Sequence, residues 1–180
     1  SIGFKASPYP GLWFNVFGGY QNLKNDLSYL GFDPSNIHSG SYLSFAQDNT
    51  ENLYLGGEIS YDYKDILGIS AKYTYRNWDS KTEEYLFAVK PVSEMSFNVR
   101  IHPVSALNIN LGYDYISRKE VKEYAKMTAI NDLHIGASYN VFKGVSVYAQ
   151  IHNLLNKKYQ YYLGYPTEGF NFLGGLSFRF

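Results

Sequence analysis

The side chains best suited to acid–base or metal chemistry in this 180-residue chain are four histidines, His38, His102, His134 and His152. Two of them lie on polar faces of successive stretches of alternating sequence. If Phe142-Lys143-Gly144 forms a three-residue hairpin loop with Gly144 in the left-handed conformation, Val141 pairs with Val145, and the same register sets His134 opposite His152. Such a pair can bind a metal or titrate as a coupled unit. No third ligand of suitable type is evident, so the spacing favours a structural pair over a metal site. Charged residues recur on the same polar faces: Lys5, Glu58, Asp62, Lys72, Arg76, Arg100, Asp114, Asp132 and Arg179. Their mixed signs suggest mutual pairing, with Lys72 near Glu58 and Asp62 across the turn at 64–68. Rings cluster between the alternating stretches. Trp78, Tyr85, Tyr124, Tyr161 and Tyr162 are candidate contacts for sugars or organic ligands, although such rings also anchor at membrane interfaces. No nucleophile, base and orienting group converge. No catalytic residue, cofactor or metal is therefore assigned, and an enzyme is not expected.

The elements that position these residues show in the period of the sequence. Side chains alternate between two faces of a strand, and a membrane barrel crosses in about 9 to 11 residues. Leu12, Phe14, Val16, Gly18 and Tyr20 share one face. So do Leu53, Leu55, Gly57, Ile59, Tyr61 and Tyr63, then Ile69, Ala71, Tyr73 and Tyr75. The pattern repeats through Met95 to Ile101, Leu107 to Tyr115, Leu133 to Val141, Val145 to Ile151 and Phe170 to Phe180. With the short run Ile2, Phe4, Ala6, it predicts nine strands.

Connections alternate in length. Short ones carry turn residues at Pro8 to Gly11, Lys64 to Gly68, His102 to Ala106 and Phe142 to Gly144. Long ones are expected at Asn22 to Asn52, Asn77 to Glu94, Ile116 to Asn131 and His152 to Gly169. That alternation is what an outer-membrane barrel presents to the periplasm and the exterior. A soluble barrel or sandwich shares the alternation of residues. The aromatics favour the membrane: Tyr20, Tyr73, Tyr75, Tyr113, Tyr115, Phe170 and Phe172 fall at the long-loop ends, and Tyr61, Tyr63, Tyr139, Phe178 and Phe180 at the short-turn ends. Two aromatic belts around an aliphatic middle suit a bilayer with two interfaces. The fold expected is all-β, an antiparallel transmembrane barrel segment of about nine strands belonging to a larger barrel. An odd count leaves the first and last strands running the same way, with exposed edges. Sixteen basic residues balance sixteen acidic ones, so nothing suggests a nucleic-acid surface. No stretch reaches the ~18 apolar residues of a membrane helix.

The last thirty or so residues carry a more specific signal. Asn153-Leu154-Leu155-Asn156-Lys157-Lys158-Tyr159, then Gly164-Tyr165-Pro166-Thr167-Glu168-Gly169-Phe170, then the ending Gly174 to Phe180, resemble the TonB-dependent receptor family. The resemblance implies that Asn153, Leu154, Lys158 and Tyr159 close the penultimate strand, and that Gly164, Tyr165, Pro166 and Gly169 cross the last outer loop. It implies that Phe172, Leu176, Phe178 and Phe180 form a signal read by the barrel-assembly machinery. It further implies outer-membrane nutrient uptake, with membrane lipid and a periplasmic energy-coupling protein as partners, the latter reached through a plug domain in a longer parent. Residues 1–180 show neither a plug domain nor an energy-coupling box, so they are read as the C-terminal strands alone. A small stand-alone barrel with a structural, adhesive or porin-like role is the alternative.

Overall fold

The computed structural model describes residues 1–31, 44–80, 90–118, 128–162 and 165–179. Every regular element among them is a strand. In chain order these are β1 (Ile2–Tyr9), β2 (Leu12–Gly31), β3 (Ser44–Tyr63), β4 (Leu67–Ser80), β5 (Pro91–Val104), β6 (Leu107–Arg118), β7 (Ile130–Phe142), β8 (Val145–His152), β9 (Gln160–Tyr162), β10 (Tyr165–Pro166) and β11 (Asn171–Phe178). Nine of them form one sheet in the order β1-β2-β3-β4-β5-β6-β7-β8-β11, each antiparallel to its neighbours; β9 and β10 form a separate two-stranded ribbon. Strand β1 does not pair with β11, so the sheet is an open wall with two free edges among the described residues.

The chemistry of the two faces decides between membrane and water. Leu55, Ile59, Tyr73, Phe97, Val147, Phe172 and Leu176 point away from the protein, with 37 to 63% of their surface uncovered. Their polar neighbours Ser60 and Thr74 are buried. Among the described residues, Ile130 and Tyr159 are the sole buried hydrophobic side chains. A water-soluble sheet needs its apolar face covered, and a continuous uncovered one of this extent calls for an apolar solvent. The polar face is concave: residues from β2 (Trp13) through β7 (His134) border one cleft of about 440 Å³, a contact range that a flat or oppositely curved sheet does not allow. Apolar outside and polar inside is the arrangement of a transmembrane barrel wall.

The turns follow their sequences. Pro10 and Gly11 join β1 to β2, with Gly11 at φ 81° and its carbonyl accepting the Asp62 amide at 2.8 Å. Lys143 and Gly144 join β7 to β8, with Gly144 at φ 82°. A β-bulge near Phe142 makes Phe142 the partner of Val145, yet farther along the ladder Ile135 still faces Ile151. The bulge takes up the extra residue locally.

Several elements exceed the sequence expectation: β4 runs to Ser80, β5 starts at Pro91 and takes in His102 to Val104 of the expected turn, and β6 runs to Arg118. Strands β2 and β3 continue about ten residues into the segment expected to be a loop, pairing as far as Gly31 and Ser44. Backbone pairing persists there although the apolar alternation has stopped. The β9–β10 ribbon is likewise too short to announce itself by period.

Candidate functional site

Cross-strand registers place a row of polar residues across the concave face: Lys5 opposite Asn15, Asn15 opposite Glu58, Glu58 opposite Lys72, Lys72 opposite Ser96, Ser96 opposite Asp114, and Asp114 opposite Asp132. The expected neighbourhood of Lys72 and Glu58 is present as a direct cross-strand pair, while Asp62 is instead bridged by Arg100 at 3.1 Å. That bridge passes over Gly68, where a Cβ would lie 2.9 Å from the Asp62 carboxylate and 3.0 Å from the guanidinium. Nearer the outer rim Arg76 pairs with Glu94 at 2.8 Å. Ser96 donates to Asp114 at 2.8 Å.

His134 and His152 lie side by side, rings stacked with centroids 6.0 Å apart and planes at 26°. The Asp114 carboxylate is 3.9 Å from His134 Nδ1. Among the described residues no group of three histidine or carboxylate side chains is arranged to ligate a metal. Gly112 makes room for the stack, because a Cβ there would come within 2.0 Å of His134 Nε2. Gly112→Ala should therefore expel the His134 ring and separate the imidazoles, lowering stability by about 1–3 kcal/mol as an overpacked site does. Histidine ring NMR signals report it: loss of the mutual ring-current shift is expected, and unchanged signals would show that the ring has room elsewhere. His102, expected in the turn, instead lies near the end of β5, its Nδ1 within 2.9 Å of the Asp65 carbonyl, and His38 lies outside the described residues.

The most constrained site is at the outer rim, where β8 ends. Asn153, buried and at φ 49°, donates its backbone N–H to Asp132 at 2.9 Å. Its side-chain amide donates to the carbonyls of Lys157 (2.8 Å) and Glu168 (3.1 Å), and its side-chain oxygen accepts the Lys157 N–H at 2.9 Å. Asn156, at φ 48°, accepts the Phe170 amide at 3.0 Å, and Gly169 lies so close beneath that a Cβ would be 2.6 Å from the Asn156 oxygen. Two asparagines thus tie both ends of the 153–170 segment together. Asparagine suits both tasks, since it tolerates left-handed backbone and mimics a peptide group.

Tyr159 is buried beside this knot. Desolvation, with the neighbouring Asp132 carboxylate, pushes its phenol up to about 12. A phenol raised from about 10 in the folded state contributes stability that is intact below pH 10 and lost as pH rises through 12. An alkaline unfolding titration should show this loss between pH 10 and 12, and Tyr159→Phe should remove that segment of the profile. An identical profile in the variant would assign the alkaline loss elsewhere.

The remaining candidates are scattered. Trp78 lies on the inward side of β4 and donates its indole N–H to the Pro91 carbonyl at 2.7 Å. Tyr161 packs edge-on against Tyr159, its carbonyl accepting from Arg118 at 3.0 Å. Burial pulls the Arg118 guanidinium below its usual value. Tyr162 and Tyr165 lie in the β9–β10 ribbon. Leu154, exposed, donates its amide to the Leu133 carbonyl at 2.8 Å, and the Lys158 carbonyl lies 3.5 Å from the Thr128 hydroxyl. Phe172, Leu176 and Phe178 form the outward face of β11. Tyr85, Tyr124, Gly164 and Phe180 lie outside the described residues.

No family model matches the chain, and no curated protein matches it. Solved structures do. The copper transporter OprC is 16% identical over 99% of this chain and 30% of its own length, with a TM-score of 0.68. The ferric enterobactin receptor PfeA of Pseudomonas aeruginosa is 14% identical over 99% of the chain and 30% of its own, with a TM-score of 0.67. OmpT, an outer membrane protein of Vibrio cholerae, is 14% identical over 98% of the chain and 53% of its own, with a TM-score of 0.59. The chain spans less than a third of the length of the two receptors and transporters and about half of OmpT. It has the fold of an outer-membrane β-barrel wall.

Proposed function

We propose that this chain lies in the bacterial outer membrane as part of a TonB-dependent-receptor-like barrel that takes up a scarce nutrient, and that it acts in transport without catalysis. One observation carries the reading: an apolar convex face and a charged concave face in a nine-stranded wall whose two edges are free among the described residues. Free edges expose unpaired backbone groups that a bilayer cannot satisfy, so the wall must be completed by further strands. Its partners on this reading are membrane lipid, the barrel-assembly machinery that reads Phe172, Leu176, Phe178 and Phe180, and a periplasmic energy-coupling protein reached through a plug.

A porin-like barrel is the second reading, favoured by the likeness to OmpT. Barrel radius grows with strand number, roughly 16–18 strands in porins against 22 in plugged transporters, so wall curvature bears on the choice. The chain superposes on the receptor and transporter barrels at TM-scores of 0.65 to 0.70 and on OmpT forms at 0.53 to 0.60, which supports the wider barrel. The test is solute uptake by cells producing the complete barrel, with and without collapse of the proton-motive force. Uptake abolished by collapse supports the receptor reading. Uptake that persists, with steady ion conductance in planar bilayers, would establish the porin-like one.

A further inference from the structure

Every inward-facing ring on β2–β4 in the pairs below carries a cation against its face. Lys5 Nζ lies 4.7 Å from the Trp13 ring centre, Lys72 Nζ 5.7 Å from Phe17, the Arg76 guanidinium 5.6 Å from Tyr54, and Lys90 Nζ 4.7 Å from Trp78. Such contacts occur about once per 70–80 residues; four along one side of four strands is a concentration that calls for a cause. Two of the rings are also pinned to the wall. A Cβ at Gly56 would lie 2.5 Å from Phe17, and one at Gly19 would lie 2.7 Å from the Tyr54 hydroxyl, so each ring lies over a cross-strand glycine. Read by register, the levels climb from Trp13 through Phe17 and the Tyr54–Gly19 pair to the Trp78–Asn52–Gln21 row. Eight residues of strand span about 26 Å, close to the apolar thickness of an outer membrane.

The charges on this side are unevenly satisfied. Arg76 pairs with Glu94 and Lys90 with Asp26. Lys5 and Lys72 have no carboxylate within ion-pair range among the described residues, and both are exposed to the trough. On this side Glu58 of β3 stands opposite Lys72 in register without closing an ion pair and Asp62 is bridged to Arg100, while the carboxylates Asp114 and Asp132 and both stacked histidines lie across the trough on β6–β8. A cation resting on a ring can be drawn off by an anion, which leaves the ring face for a planar group.

We propose that the inward side of β1–β4, marked by Lys5, Trp13, Phe17, Tyr54, Lys72 and Arg76, is a binding track for anionic, ring-bearing organic solutes. This rests on the reading of the concave face as the lumen of a transport barrel. The test titrates the assembled barrel in detergent with pyranine, a trisulfonated pyrene, following the dye's anisotropy, beside a cationic dye of similar size. Pyranine is expected to bind in a salt-sensitive way and in preference to the cation. K5Q/K72Q should weaken binding about tenfold, since two partly screened charges are worth roughly 0.5–1 kcal/mol each, and K5R/K72R should restore it. Equal affinity in K5Q/K72Q with native heat-modifiable mobility, or preference for the cation, would overturn the track. Energised uptake is measured separately, so a barrel that binds pyranine without such uptake keeps the track and loses the transport reading.

Discussion

Replacing Asn153 with alanine should open the outer-rim knot and lower the stability of the folded barrel by about 3 kcal/mol. The alanine leaves the Lys157 N–H and the carbonyls of Lys157 and Glu168 without their partner in a buried site. Unmade buried hydrogen bonds cost about 1–3 kcal/mol each, and partial access of water offsets some of the sum. Alanine at φ 49° adds about 1 kcal/mol of backbone strain. Asn153→Gly removes the same bonds without that strain, so the difference between the two variants isolates it. Asn153→Asp should not rescue. It keeps an acceptor for Lys157 but sets a carboxylate against two carbonyls and near Asp132, which already accepts the residue-153 amide. The urea midpoint of refolded barrel, together with protease cleavage within 153–170, reads the outcome. A midpoint within experimental error of wild type would mean that the knot is decorative.

Phe97→Arg and Asn98→Arg should differ sharply although the residues are adjacent. Phe97 faces outward near the middle of β5, where an arginine meeting hydrocarbon costs about 2–4 kcal/mol, while a lumen substitution chiefly tunes selectivity. Asn98 faces inward and is exposed to the trough, so its arginine keeps its water. Folding yield into lipid vesicles and the denaturant midpoint should fall for the first variant and stay near wild type for the second. Equal losses would place both faces of β5 in the same environment.

The fold was legible because membrane and lumen impose opposite chemistry on alternate residues, so Leu53 to Tyr63 or Met95 to Ile101 announce a strand without any knowledge of their neighbours. Register was legible at one hairpin, where Gly144 fixed the turn and the count back along both strands put His134 beside His152. Beyond Tyr20 the pattern fails, because the apolar alternation stops there while backbone pairing continues β2 and β3. The knot was marked by the resemblance around Asn153 but its wiring was not. Which carbonyls the Asn153 amide reaches depends on how 153–170 folds back, and no spacing rule contains that. The surroundings of Trp13, Phe17 and Tyr54, whose face the alternation does give, were illegible for a different reason. Period two tells which side a residue faces, while the glycine beneath a ring and the cation above it depend on cross-strand register.

The reading as a whole stands or falls on which face of the sheet meets lipid. The chain has no cysteine, so single cysteines can be placed one at a time from residue 94 to residue 101. In the barrel assembled in lipid, spin labels on these cysteines report collision with oxygen, which concentrates in the bilayer, or with a water-soluble nickel chelate. Positions 95, 97, 99 and 101 should favour oxygen and positions 94, 96, 98 and 100 the chelate, in strict alternation. Alternation of the opposite sense would describe a soluble barrel with an apolar interior, and no alternation would remove the strand itself.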